Sequence, residues 1–223
     1  NTYKVPIGNK LKNLSSIFAG NSTTNSVMSL PSTFIGKKIT LSGTVYEGEF
    51  KDSLKEGQGR EESSEHIYYG QFMSDMKHGI GRLTYKGIND IYEGEFINNH
   101  INGKGKYYWA NQEIYEGTFI NGKMHGKGIY KLPDGSQYIG EYVNNLKDGM
   151  GEFKWSNGKI YRGQFIKGKP HGIGNITYKG KTYNCEFKEG KMITSKEAST
   201  PILELKSSPF IVDISRIKSN HEK

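Results

Sequence analysis

Residues 115–128, YEGTFINGKMHGKG, set four glycines, two lysines and a histidine in fourteen positions. Glycine beside lysine is the composition of loops that hold phosphate through backbone N–H groups and an ammonium. The Walker A pattern, however, needs Gly-x-x-x-x-Gly-Lys-Ser/Thr between a strand and a helix. Here Gly122 and Gly126 are four apart, Lys127 is followed by Gly128, and no helix pattern follows. The dinucleotide fingerprint Gly-x-Gly-x-x-Gly fails too, because Lys131 stands where its third glycine belongs. Three histidines, His78, His125 and His171, each directly precede a Gly-x-Gly. They fall two repeats apart, roughly 19 Å in a stacked sheet, whereas zinc ligands lie within about 2.3 Å of one ion. They read as turn residues, and no metal site is expected. Cys185 is the only cysteine, so no internal disulfide is possible, and a reducing compartment is expected. It has no identifiable base, and neither a Ser-His-Asp nor a Cys-His constellation is present. The expectation is a chain that is not an enzyme and carries no cofactor.

The glycines acquire a purpose once the whole chain is aligned on itself. YEGEF begins at Tyr46, YYGQF at Tyr68, YEGEF at Tyr92, YEGTF at Tyr115, YIGEY at Tyr138, YRGQF at Tyr161 and YNCEF at Tyr183. In the first six copies a Gly-x-Gly pair starts eleven residues later, at Gly57, Gly79, Gly103, Gly126, Gly149 and Gly172. Within a unit Tyr115, Gly117 and Phe119 alternate with Glu116 and Thr118, which predicts a strand with one aromatic face. Six turn-type residues, INGKMH, separate it from a second alternating run, GKGIYKL. Connectors such as PDGSQ and SNGK are hairpin signals. Each unit is therefore predicted to be a β-hairpin, and the units follow as a meander. Strand glycines next to large rings leave room for aromatics to lie across the strand. On the other face, Glu93, Glu95, Glu116 and Glu141 are set against Lys104, Lys106, Lys127, Lys131 and Lys154. Such cross-strand pairs contribute roughly 0.2–1 kcal/mol each and mark a solvated face.

This pattern, Tyr-x-Gly-x-Phe/Tyr followed by Gly-x-Gly, resembles the MORN repeat family (membrane occupation and recognition nexus). The resemblance implies an all-β fold: an elongated, single-layer antiparallel sheet of stacked hairpins. It implies scaffolding and recruitment, as in junctional membrane proteins, plant-type lipid kinases, a SET-domain lysine methyltransferase, ciliary radial spokes and protist cortical cytoskeleton. In none of these are the repeats themselves the enzyme. It also implies that the sheet can accept a helical segment of a partner.

The organisation predicted is an irregular basic leader over 1–38, a repeat array over 39–194 with a partial seventh copy at 183, and a tail over 195–223. Cys185 replaces glycine in that last copy and no Gly-x-Gly follows, as expected of a cap. At the other end ITLSGTVY (39–46) matches ITYKGKTY (176–183), which suggests a capping second strand without its glycines. About fourteen strands at roughly 4.8 Å give a sheet on the order of 65 Å long. Tyr85, Tyr107, Trp109, Tyr130, Phe153, Trp155 and Tyr178 should line it as a partner groove. In the tail, SSPFIVDISRIKSN places Ser208 and Pro209 at a helix start, with Phe210, Ile211, Ile214 and Ile217 on one face. A short C-terminal helix is predicted, although its β-branched content also suits a strand. That tail or a partner helix is expected to occupy the groove.

Net charge is +8 but uneven: five lysines and no acid up to residue 45, and 20 bases against 19 acids over 46–190. A nucleic-acid reader would concentrate charge on its folded body, so none is expected as a partner. Lys4, Lys10, Lys12, Lys37 and Lys38 could contact anionic lipid at about 1 kcal/mol each. No apolar run approaches a membrane span and no secretory signal opens the chain. The family resemblance, with the Lys-, Asn- and Ile-rich composition, implies a cytoplasmic scaffold in a cytoskeletal, ciliary or cortical assembly, with the membrane periphery open to it. The alternatives are a phosphoinositide tether and, since the chain starts NTYKVP without Met, a regulatory fragment of a phosphatidylinositol phosphate kinase or similar enzyme.

Overall fold

The computed structural model describes residues 33–198, and the leader lysines Lys4, Lys10 and Lys12 and the predicted helix after Ser208 lie outside them. The described residues form one antiparallel sheet of fifteen strands in which spatial order equals chain order. The strands are β1 (Thr33–Ile39), β2 (Val45–Lys51), β3 (Leu54–Glu62), β4 (His66–Met73), β5 (Met76–Tyr85), β6 (Ile91–Ile97), β7 (His100–Tyr108) and β8 (Ile114–Ile120). They continue as β9 (Lys123–Lys131), β10 (Gln137–Val143), β11 (Leu146–Lys154), β12 (Ile160–Ile166), β13 (Lys169–Tyr178), β14 (Lys181–Lys188) and β15 (Lys191–Glu197).

Two residues, not six, turn the chain within each unit. Asn98-Asn99 (φ 49° and 69°), Asn121-Gly122 (47° and 74°) and Asn144-Asn145 (49° and 72°) all sit in the left-handed region. That is the type I′ hairpin, whose twist matches the strands and which selects Asn, Asp and Gly. The second strand therefore starts before the Gly-x-Gly. His78, His125 and His171 lie inside β5, β9 and β13, not in turns as expected, because the chain has already reversed before reaching them.

The two glycines of each pair do different work. The first, as at Gly126 (φ 60°), is a bulge: Gly117 pairs Gly128 and Thr118 pairs His125, so β9 carries two extra residues there. The second is a notch. A Cβ on Gly128 would fall 2.4 Å from the Tyr115 ring. Notch glycines face one another from strand to strand: Gly94, Gly105, Gly117, Gly128, Gly140 and Gly151 pair in succession. The result is a spine of glycine crossing the sheet.

The first-strand rings lie down on that spine. Tyr46, Tyr68, Tyr92, Tyr115, Tyr138 and Tyr161 are 0–1 % exposed in a sheet with no second layer among the described residues. Each tyrosine packs edge to face against the aromatic four residues on in its own unit and against the corresponding ring of the next. Tyr92 meets Phe96 and Phe119 at 5.2 Å, and Tyr138 meets Tyr142 at 5.3 Å and Phe165 at 4.9 Å. Such pairs add about 0.5–1.5 kcal/mol beyond area burial. The phenol then donates to the carbonyl three residues on, from Tyr46 to Glu49 at 2.8 Å through to Tyr161 and Gln164 at 3.1 Å. Burial raises the pKa of these phenols, to about 12 at Tyr161. The same bulge is closed from the other side where Glu95 accepts the Lys104 N–H at 2.9 Å. Glu95 was expected to pair with a lysine side chain; the bulge brings a backbone donor to it instead. Glu93 and Glu116 do form ion pairs, with Arg82 at 3.0 Å and Lys106 at 3.6 Å.

The array extends past its expected bounds at both ends. All of β1 but Ile39 lies within the stretch read as irregular, and it pairs all along β2, with Phe34 stacked on Phe50 at 5.1 Å. It retains one notch glycine, Gly36, and Phe34 takes the place of the bulge glycine. Residues 40–44 are the turn rather than a strand. At the other end β15 is exposed throughout.

Candidate functional site

Second-strand side chains on the aromatic face form two rows beside the buried tyrosines. The inner row is Glu61, Leu83, Tyr107, Tyr130, Phe153 and Ile176, each paired with a buried first-strand tyrosine. The outer row, two residues on, includes Tyr85, Trp109, Trp155 and Tyr178 at the mouths of the inter-unit turns, where Trp109 N–H bonds Glu113 C=O at 3.0 Å. All seven residues predicted to line a groove are half-buried on this face.

The structure brings four of them into one run. Tyr85 lies 6.4 Å from Tyr107, Tyr107 is 4.6 Å from Trp109, and Trp109 is 5.3 Å from Tyr130. Phe153 and Trp155 form a second cluster at 4.7 Å. Tyr178 stands apart, on an open depression of about 360 Å³ that Ile176, Tyr183, Cys185 and Met192 also line. The depression has a cause in the cap. Cys185 pairs Ser195 where earlier units pair glycine with glycine, so Tyr183 cannot lie down and stays half-buried.

Polar contacts hold the first run in place. Tyr107 donates to buried Asp90 at 3.0 Å, and Asp90 also accepts the Ala110 N–H at 2.9 Å. Tyr130 donates to Glu113 at 2.5 Å. Desolvation, and then the neighbouring carboxylate, push both phenol pKa values up. Tyr107 and Tyr130 are thus each tied at the hydroxyl to a neighbouring carboxylate.

Sequence reasoning missed the lysines of this face. The second residue after each intra-unit turn points onto it, opposite the aromatic that closes the Tyr-x-Gly-x-Phe/Tyr motif: Lys55 faces Phe50, Lys77 faces Phe72 and Lys147 faces Tyr142. Lys55 and Lys77 both donate to Glu61, Lys77 at 2.5 Å, and His66 Nε2 is 3.6 Å away. Burial alone would raise the Glu61 pKa; the two ammonium groups overcome it and hold it at about 2. Lys147 has no carboxylate among the described residues. Its Nζ lies 4.6 Å from the Phe153 ring centre and 4.9 Å from Tyr138, and burial lowers its pKa. The Tyr142 hydroxyl, in the strand facing it, is also buried without a hydrogen-bond partner. The usable sequence signal is that Phe153 stands six residues after Lys147 where Glu61 stands six after Lys55.

The other candidates are scattered. Lys37 is paired with Glu47 at 2.7 Å, and Lys38 pairs across with Tyr46 on an edge strand. Among the described residues no cluster of metal-binding side chains occurs.

The family model described as MORN repeat matches residues 46–65, 68–87, 92–113, 115–137, 138–160 and 161–182. No curated protein matches the chain. Similar solved structures include the SAS-4 (dCPAP) TCP domain of Drosophila melanogaster in complex with a proline-rich motif of Ana2 (dSTIL). It is 13% identical and has a TM-score of 0.38, over 81% of this chain and 98% of that one. The wild-type TCP10 domain of Danio rerio CPAP in complex with a peptide of Danio rerio STIL is 14% identical, with a TM-score of 0.20, over 74% of this chain and 100% of that one.

Proposed function

This chain belongs to the MORN repeat family, and from that premise we propose that it is a non-enzymatic scaffold whose second-strand rings bind an apolar segment of a protein partner. One observation carries the reading. The first-strand rings already form a complete edge-to-face ladder and are buried. Tyr107, Trp109, Tyr130, Phe153 and Trp155 are additional to that ladder and remain half-exposed. Two clusters of half-buried aromatics, with the polar tips of Tyr107 and Tyr130 already satisfied, have the composition of a binding hot spot. The family resemblance supports a helical segment as the occupant and a cytoplasmic, cytoskeletal, ciliary or cortical assembly as the setting.

The test is affinity capture with the wild-type chain, with a Trp109→Ala/Tyr130→Ala variant, and with a Lys104→Ala/Lys127→Ala control on the opposite face. The ring variant should lose proteins that the control retains. Capture of the same proteins by all three chains would refute the aromatic face as the site. Binding by wild type to vesicles of phosphatidylinositol phosphates, unaffected by loss of the rings, would replace it with the membrane-tether reading.

A further inference from the structure

The half-buried rings share one face but not one sign of charge. Acids stand behind the first run: the buried Asp90 carboxylate accepts from Tyr107 at 3.0 Å, and Glu113 accepts from Tyr130 at 2.5 Å. Bases stand against the rings of the later units. Lys147 Nζ lies 4.6 Å from the centre of Phe153, Lys159 Nζ 5.0 Å from Trp155 and Lys179 Nζ 5.4 Å from Tyr178. Among the described residues none of these three ammonium groups meets a carboxylate, whereas Lys55 and Lys77 share Glu61. The Tyr142 hydroxyl on the strand opposite Lys147 does not accept from it either, being buried without a hydrogen-bond partner. The packing does not require a charge at this point, because Met124 fills the equivalent position one unit earlier. Lys147 is already half-buried, and a segment laid on Phe153 and Trp155 covers it further. Desolvating an ammonium without an anion is costly, and the ring faces offset only part of that. Whatever binds there is best matched if it brings the anion.

We propose that the partner segment carries a carboxylate at one end, that this group sits on Lys147 Nζ beside Phe153 and Trp155, and that the apolar remainder crosses the sheet onto Tyr107, Trp109 and Tyr130. The proposal rests on the ring surface being the binding face and adds the charge and direction of what it takes. The direction follows from the two signs, since an acid at the other end would face Asp90 and Glu113 and be repelled. The length follows from the strand spacing. Trp109 and Trp155 directly follow β7 and β11, four strands apart. That is roughly 19 Å, which about thirteen helical residues span.

The probe is a displayed library of random peptides of about that length, selected on the full chain. Peptides retained by wild type and lost by Trp109→Ala/Trp155→Ala define the ring surface. Among them Asp and Glu should be enriched over the library, toward one end of the peptide. For such a peptide Lys147→Met should weaken Kd by at least about five-fold, the upper end for an exposed ion pair. Lys127→Met, which removes the same charge from the opposite face, should leave Kd unchanged. A second measurement guards against misfolding of the variant: a peptide with its acid changed to Lys should bind Lys147→Glu more tightly than wild type. Ring-dependent peptides with no excess of acid, or indifferent to Lys147→Met, overturn the proposal and leave the scaffold reading standing. A library that yields no ring-dependent peptide removes the binding face and the proposal together. Vesicles of phosphatidylinositol phosphates that bind through Lys147 and not through the rings would assign the cation to a lipid headgroup and overturn it as well.

Discussion

Repeats one and two and repeat five place a lysine at the same point after the turn and give it different company. Lys55 and Lys77 close on the buried carboxylate of Glu61, whereas Lys147 rests on Phe153. The backbone is the same in both regions: Gly48 pairs Gly59 and Gly140 pairs Gly151, with the same register shift beside them. The inner-row position can therefore hold an ion cluster or a ring without altering the fold. The fold is written in glycines and first-strand aromatics, and the second-strand side chains, where we propose that recognition lies, vary on top of it.

The largest test of that separation is to attack what the regions share. Gly59→Val and Gly151→Val should each destabilise the chain by more than about 3 kcal/mol in urea unfolding. Their Cβ atoms would fall 2.4 Å from the Tyr46 ring and 2.3 Å from the Tyr138 hydroxyl. Unequal losses would show that the regions differ in fold as well as in surface. Next, Glu61→Gln leaves two lysines half-buried without their anion and should cost about 3 kcal/mol, with no counterpart in repeat five. Its pH signature has a definite sign. The folded carboxyl is depressed from 4.5 to about 2, so its contribution is complete above pH 4.5 and disappears as pH falls toward 2. Thermal melts across that window should lose stability more steeply for wild type than for Glu61→Gln. Tyr161→Phe removes the bond to the Gln164 carbonyl and should cost about 1 kcal/mol by the same assay. The smallest effect is expected of Lys147→Met, within about 1 kcal/mol of wild type, since methionine already occupies this position at Met124 and Met192. Lys77→Met, which breaks the Glu61 cluster, should cost clearly more.

The period, the hairpins and the aromatic face were legible because they are carried by residue types at fixed spacing. The bulge was not, since a Gly-x-Gly does not say which glycine turns the backbone and which gives room. That ambiguity produced both the six-residue turn and the misplacement of His78, His125 and His171. β1 was hidden because TFIGKKI keeps only one of the two glycines. Alternation placed the seven second-strand rings on their face but assigns no depth, so it could not separate rings that complete the ladder from rings that surmount it. The solitude of Lys147 depends on what stands six residues away across a bulge, a relation that simple strand alternation does not contain.

The ladder also gives the molecule a direction. Every tyrosine borrows its second ring from the unit that follows: Tyr92 from Phe119, Tyr138 from Phe165, Tyr161 from Phe187. A cut that removes whole units from the amino end leaves each survivor with its lender. The same cut from the carboxyl end strands a tyrosine at the new border. The half unit at Tyr183 is thus the least that can end the series, because it lends Phe187 and asks for nothing in return. An extra copy of about 23 residues spliced anywhere ahead of it should be accommodated, so the number of units can drift while the terminator stays the same.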